Sequence, residues 1–127
     1  MIPRSLRTWF VVHFLADILF GLPLLIAPQL ILPLFGWTTY DPITSRLVGA
    51  ALMGIGIESW LGRDASIETY RAMLNLKVIW ATSALAGIAL GISEGAPASA
   101  VLFFGIFAVF WSVWVYYWLH LRKEIKP

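Results

Sequence analysis

The residues able to do chemistry in this chain are few, and most of them stand inside long apolar runs. Asp17 follows His13 by four positions, which on a helix puts carboxyl and imidazole one turn apart on one face, where they can share a proton. Trp9 and Gly21 extend the same row. An aspartate at the centre of a membrane helix costs on the order of 2.5 to 3.5 kcal/mol on insertion scales, so Asp17 needs a proton, a partner or a water-filled neighbourhood. Glu58 and Lys77 are further ionisable groups in apolar surroundings, and Ser112 and Tyr116 add a hydroxyl each from the last apolar run. The functional reading of His13 with Asp17 is a site for a proton, a cation or a polar ligand; the structural alternative is a hydrogen-bonded pair that only fixes helix packing. For Glu58 with Lys77 the structural alternative is stronger, because lysine can snorkel to the interface.

Several chemistries are excluded at once. Cysteine is absent, which removes thiolate nucleophiles, disulfide exchange, iron-sulfur clusters and thiolate zinc sites. His13 and His120 are the only histidines and differ in expected depth, so neither a bis-histidine haem nor a metal site is assigned, and no cofactor is expected. No catalytic constellation is recognisable, so an enzyme acting on a membrane-soluble substrate ranks last among the readings. The net charge of +2 is too small to suggest nucleic acid, and the basic residues cluster where helix ends are expected. Of the seven tryptophans, Trp9, Trp37, Trp60 and Trp118 read as belt anchors near span ends. Trp80, Trp111 and Trp114 lie deeper; they suit packing against lipid or a neighbouring subunit, or a pocket for a flat lipophilic ligand.

The elements that must position these groups follow from composition. The chain has 127 residues, 60% of them hydrophobic and 13% charged, and its mean hydropathy is +0.82. A water-soluble domain of this length cannot absorb so much apolar surface. Spans of about 20 apolar residues each fit four times: approximately 6–27, 43–62, 70–92 and 97–120, forming one transmembrane domain over 1–127. The expected fold is all-α, an integral membrane four-helix bundle with its first helix kinked near Pro23, where proline cannot donate to the Leu19 carbonyl. Arg4 and Arg7 before the first run also fit the start of a signal peptide, but the run is span-length, carries Asp17 and ends at Pro28, so it reads as a mature span. Gln29 to Asp41, with its prolines and aromatics, suits a segment in the headgroup layer. Asp41-Pro42 reads as an N-cap with proline at the first helical position.

Arg4, Arg7, Arg63, Arg71, Arg122, Lys123 and Lys126 fall on one side of such a fold, which places both termini in the cytoplasm and the protein in the cell (inner) membrane as a multi-pass chain. Arg46, near the opposite surface, reads as an interfacial anchor within reach of Asp41 or Glu94. Counting about 1.5 Å per residue from this basic boundary puts His13, Glu58, Lys77 and Tyr116 or Tyr117 at one depth, with Asp17, Gly54, Trp80 and Ser112 one turn deeper. An ion pair between Glu58 and Lys77, with the His13 and Asp17 pair above it, follows from those depths. Small residues should admit close helix contacts: Ala50 and Gly54 in the row from Arg46 to Glu58, with Gly49 and Gly56 beside it, Gly87 on the third span, and Gly105 and Ala108 on the fourth.

The run Pro28-Gln29-Leu30-Ile31-Leu32-Pro33-Leu34-Phe35-Gly36, the Asp41-Pro42 start, Arg46-Leu47-Val48-Gly49-Ala50 with Gly54, and the closing Gly62-Arg63 resemble a pattern of small uncharacterised prokaryotic four-span proteins, loosely DoxX-like in outline. The likeness covers the first half best and consists of turn and packing residues, so it implies the four-helix fold and no activity. In outline the chain also resembles small multidrug-resistance exporters, four-span dimers with an acidic residue in the first helix, where Asp17 stands here. Those exporters often show little charge bias between their two sides, unlike this chain.

Two functional expectations result. The first is a small polytopic membrane protein with an intramembrane polar site, used for proton-linked transport or binding of a small ion or amphipathic ligand, and completed in a homo-oligomer. The second is an accessory or assembly subunit of a larger membrane complex, docking through its small-residue rows to other membrane subunits.

Overall fold

The computed structural model describes residues 1–124. Lys126, counted above among the basic residues, lies outside the described residues. The architecture is all-α, with no strand among the described residues. The chain divides into two compact units, Met1–Asp64 and Ala65–Pro127, each built on one antiparallel pair of long helices.

The first unit begins with α1 (Arg4–Ile26), which runs unbroken through Pro23 and ends where the Ala27 N–H bonds to the Pro23 carbonyl. Proline at position 28 stops the helix there and opens the short α2 (Pro28–Ile31), followed by a tight turn over Leu32–Phe35. The return helix is α3 (Pro42–Leu61). Its start has the expected chemistry: the Asp41 carboxylate accepts from the Thr44 backbone N–H at 2.7 Å and from the Thr44 hydroxyl at 3.1 Å, while Pro42 occupies a position that needs no N–H. These bonds hold the Asp41 carboxyl below the usual aspartate range, the backbone donation from Thr44 being the largest cause.

α1 and α3 pack through the stripe Gly49, Leu52, Gly56 and Ser59, spaced three, four and three residues apart and buried throughout. A Cβ on Gly49 would stand 2.6 Å from the Leu25 backbone nitrogen and 2.8 Å from the Gly21 carbonyl oxygen, so at this point the two backbones touch and only glycine fits. The row expected from four-residue steps lies on the face turned away from α1: Arg46, Ala50, Gly54 and Glu58 are all exposed, and nothing lies within 4 Å of a Cβ built on Gly54. A helix turns about 100° per residue, so a uniform four-step row drifts off any one face, while alternating steps of three and four stay on it.

The second unit is α4 (Ile67–Ser93) and α5 (Ser99–Lys123). α4 starts a turn before the expected boundary because Ser66 caps it, accepting from the Thr69 N–H. It stops at Gly95, whose φ of +93° favours glycine and lets the Ala96 N–H reach back to the Gly91 carbonyl. Indole N–H groups join the two helices: Trp118 donates to Asn75 Oδ1 at 2.6 Å and Trp111 to Thr82 Oγ1 at 2.9 Å. Arg71 donates to the Leu121 carbonyl at 3.1 Å near the end of α5. Gly87 and Gly105, expected at packed contacts, face open space instead, and Ala108 is half-buried.

By length and composition, α1, α4 and α5 are each long and apolar enough to cross a membrane. α3 is 20 residues long but carries Arg46 and Glu58 among its apolar residues, which keeps it out of that set. Burial is distributed as in a membrane protein. His13, Asp17, Ser59 and Lys77 are enclosed, while Leu15, Leu19, Leu76, Leu90 and Val109 stand on the outside. Water would reward the opposite arrangement; lipid rewards this one.

Candidate functional site

The antiparallel register of α1 against α3 sets the site residue by residue. Arg46 Nε donates to the Leu25 carbonyl at one end of the hairpin, Gly21 meets Leu52 and Gly49, Asp17 meets Gly56, His13 meets Ser59, and Arg7 pairs with Asp64 at 2.9 Å at the other end. Arg46 therefore caps the terminus of α1, whose last carbonyls have no helical donor.

At the centre, His13 Nε2 lies 3.4 Å from Asp17 Oδ2. The imidazole's other nitrogen, Nδ1, lies 3.5 Å from Ser59 Oγ, and the Ser59 hydroxyl donates to the Ile55 carbonyl one turn back at 2.7 Å. His13, Asp17 and Ser59 are 4%, 5% and 1% exposed. Asp17 can occupy this position because Gly56 faces it: a Cβ there would stand 2.6 Å from Asp17 Cβ and 3.3 Å from Oδ2. An acidic side chain and a glycine seat thus form one unit.

Lys77 is the second enclosed ionisable group, 2% exposed. Its ammonium lies over the Trp114 ring, 4.9 Å from the centroid, a cation–π geometry, and Phe110 stacks on the same indole at 5.9 Å. Glu58, expected as its ion-pair partner, is exposed on α3. Ser112 and Tyr116 also stand on the outside of their helix; the Ser112 hydroxyl bonds back to the Ala108 carbonyl at 2.8 Å, and Tyr116 stacks with Tyr117 and His120. Of the proposed site residues, the first hairpin brings together His13 and Asp17.

Ser59 is the participant that the sequence reading missed. The expected span ends, 6–27 and 43–62, gave no signal for it, since they set His13 opposite residues 55–57; the structure slides the register by about half a turn and brings Ser59 there instead. Deeper in the second hairpin, Trp80 packs against Phe107 at 6.4 Å and its enclosed indole N–H makes no hydrogen bond among the described residues. No group of three or more His, Cys, Asp or Glu able to hold a metal ion occurs among the described residues.

These features define an all-α membrane protein with ionisable groups enclosed between its helices. Comparison of the chain with family models, with curated proteins and with solved structures gives no match.

Proposed function

We propose that this is a four-span protein of the inner membrane, both termini cytoplasmic, whose first hairpin holds a protonatable site for proton-linked binding or passage of a small ion or amphipathic ligand. The observation that carries this reading is the enclosed His13–Asp17 pair seated on Gly56. A carboxyl buried at this cost is a poor choice for packing alone, since hydrogen bonds between membrane helices contribute only about 0.6 kcal/mol on average. The four-span topology rests on α3: its 20 residues reach about 30 Å, it runs antiparallel to α1, and Arg4, Arg7 and Arg63 gather at one end of the pair.

The test is proton release from purified protein in lightly buffered detergent, read by a pH dye on addition of Na+, K+ or a lipophilic quaternary amine. The native protein should release protons with at least one probe, and Asp17→Asn should fold with unchanged helicity and release none. Release by Asp17→Asn equal to the native protein's, or no release with any probe, overturns the reading.

A second reading, an accessory subunit of a larger membrane complex, is favoured by the open surface over Gly54, Gly87, Gly91 and Gly105, where another protein's helix could approach closely. Native mass spectrometry of the gently extracted complex separates the two. A foreign membrane subunit lost in Gly54→Leu would support the accessory role; a homo-oligomer, or the chain alone, would oppose it.

A further inference from the structure

Two hydrogen bonds fix how α4 and α5 face each other. Trp118 donates to Asn75 Oδ1 and Trp111 to Thr82 Oγ1, and the two rungs stand seven residues apart on both helices, so one antiparallel register holds along this edge of the hairpin. Four residues beyond the Trp118–Asn75 rung, the same register sets Arg71 opposite Arg122, near the start of α4 and the end of α5. The bond from Arg71 Nη2 to the neighbouring Leu121 carbonyl at 3.1 Å agrees with that placement. Each guanidinium is held by the hairpin but not neutralised by it. Arg122 lies over the Trp118 ring, 3.8 Å from its centroid. Arg71 has one N–H on the Leu121 carbonyl, and its enclosed Nε finds no acceptor. Among the described residues no carboxylate stands within ion-pair distance of either group: Glu68, three positions before Arg71, acts on it only at longer range, and Glu124 lies 4.0 Å from His120. The preference for basic residues on one side of a membrane accounts for their presence at this end, not for two of them facing each other.

We propose that Arg71 and Arg122 form a binding site for the phosphate group of an anionic lipid, at the membrane surface where α4 begins and α5 ends. Both helices are long and apolar enough to cross a membrane, which puts these termini at headgroup depth. Helices in contact lie about 8 to 10 Å apart, so two opposed guanidiniums can donate to one phosphate between them, and the planar fork of arginine suits phosphate oxygens. Without an anion, two like charges face each other where water screens them poorly; a phosphate turns that repulsion into two attractions. Trp118 prepares the site: its indole N–H on Asn75 fixes the ring, and the ring holds the Arg122 guanidinium in place before any lipid arrives. Ile79, one turn inward from Asn75 on the same face of α4 and 64% exposed, continues the site as apolar surface for an acyl chain. A soluble phosphate would meet the same two guanidiniums but leave that surface unused. The site belongs to the second hairpin and does not depend on the proton-linked reading of the first.

The test is a titration of the purified protein in detergent with phosphatidylglycerol and, separately, with zwitterionic phosphatidylcholine of the same chains, native mass spectrometry reading the fraction that carries one lipid. The native protein should take phosphatidylglycerol about tenfold more tightly. Arg122→Gln, at an exposed position, should lose about tenfold in phosphatidylglycerol affinity, the loss of one hydrogen-bonded charge. Lys123→Gln removes the same charge from the same helix end, but at a position that the register does not set opposite Arg71, and should change affinity less than about twofold. Arg122→Lys keeps the charge without the planar fork and should fall between the native protein and Arg122→Gln. Circular dichroism checks that each variant keeps its helicity. Equal binding of the two lipids by the native protein, or equal losses in Arg122→Gln and Lys123→Gln, overturns the site. Inorganic phosphate added at the lipid's concentration should leave the bound fraction unchanged; displacement of the lipid by it would assign the two guanidiniums to a soluble anion and overturn the lipid assignment.

Discussion

Gly49→Ala and Gly54→Ala add the same methyl group to the same helix five residues apart, and the structure assigns them opposite outcomes. Both exchange glycine for a better helix former, worth roughly 0.5 to 1 kcal/mol. At Gly54 nothing opposes that gain, because no atom lies within 4 Å of the new carbon. At Gly49 the carbon arrives 2.6 Å from the Leu25 nitrogen and 2.8 Å from the Gly21 oxygen, against an ordinary contact of roughly 3.5 to 4.0 Å. Both opposing atoms are backbone, so no side chain can rotate away and the helices must part by about 1 Å. Overpacking of this kind costs about 1 to 3 kcal/mol. The propensity gain cancels between the two variants, so their difference isolates the steric term, a factor of roughly 5 to 150 in the unfolding equilibrium. Reversible unfolding in mixed detergent micelles, followed by circular dichroism, measures it. Equal stability of the two variants, or Gly54→Ala as the weaker, would refute the packing of α1 on α3 through Gly49.

Asp41→Asn should loosen the start of α3, read as faster amide exchange at Thr44, whose N–H donates to the Asp41 carboxylate at 2.7 Å. Because the folded carboxyl titrates below the ordinary aspartate value, the cap's contribution is fully present above the unfolded pKa and is lost as pH falls through the lower folded value; a midpoint for Asp41 above the ordinary value would contradict the sign. Trp114→Leu should lose about 2 to 4 kcal/mol in thermal unfolding through the volume it leaves empty in a fully buried place, and an unchanged midpoint would refute that burial. Trp118→Phe should cost about 0.6 kcal/mol, the average for a hydrogen bond between membrane helices, by removing the 2.6 Å bond to Asn75; no loss at all would show that bond to be immaterial.

The parts of the fold legible in the sequence are those set by local chemistry. Asp41-Pro42 announced a helix start by donor and acceptor counting alone, and His13 with Asp17 announced a shared face by the helical repeat. Which face of α3 meets α1 was not legible, and the reason is specific to the solvent. In water the buried face is the apolar one, but lipid is as apolar as a helix interface, so apolar residues mark neither side. α3 then offers small residues in two directions, Ala50 with Gly54 and Gly49 with Gly56, and only the contact with Gly21 and Asp17 distinguishes them. The expected pairing of Glu58 with Lys77 rested on depth alone, and depth from the boundary fixes height along the helix, not direction around it. Ser59 escaped notice because a lone serine near a helix end has many structural uses, and its meaning comes from standing opposite His13.

The dependence of α3 on α1 has a consequence for how such a chain enters a membrane at all. With Arg46 and Glu58 in its length, α3 is the helix least able to partition into lipid by its own hydropathy. Its guanidinium is satisfied by a carbonyl of α1, and the carboxyl of α1 has its seat on a glycine of α3. On the four-span reading, each helix covers what the other could not expose to lipid, so during biosynthesis the pair leaves the insertion machinery together and not one after the other. Lengthening the segment between Ile31 and Asp41 should therefore delay integration of α3 far more than the same insertion between Ser93 and Ser99 delays α5.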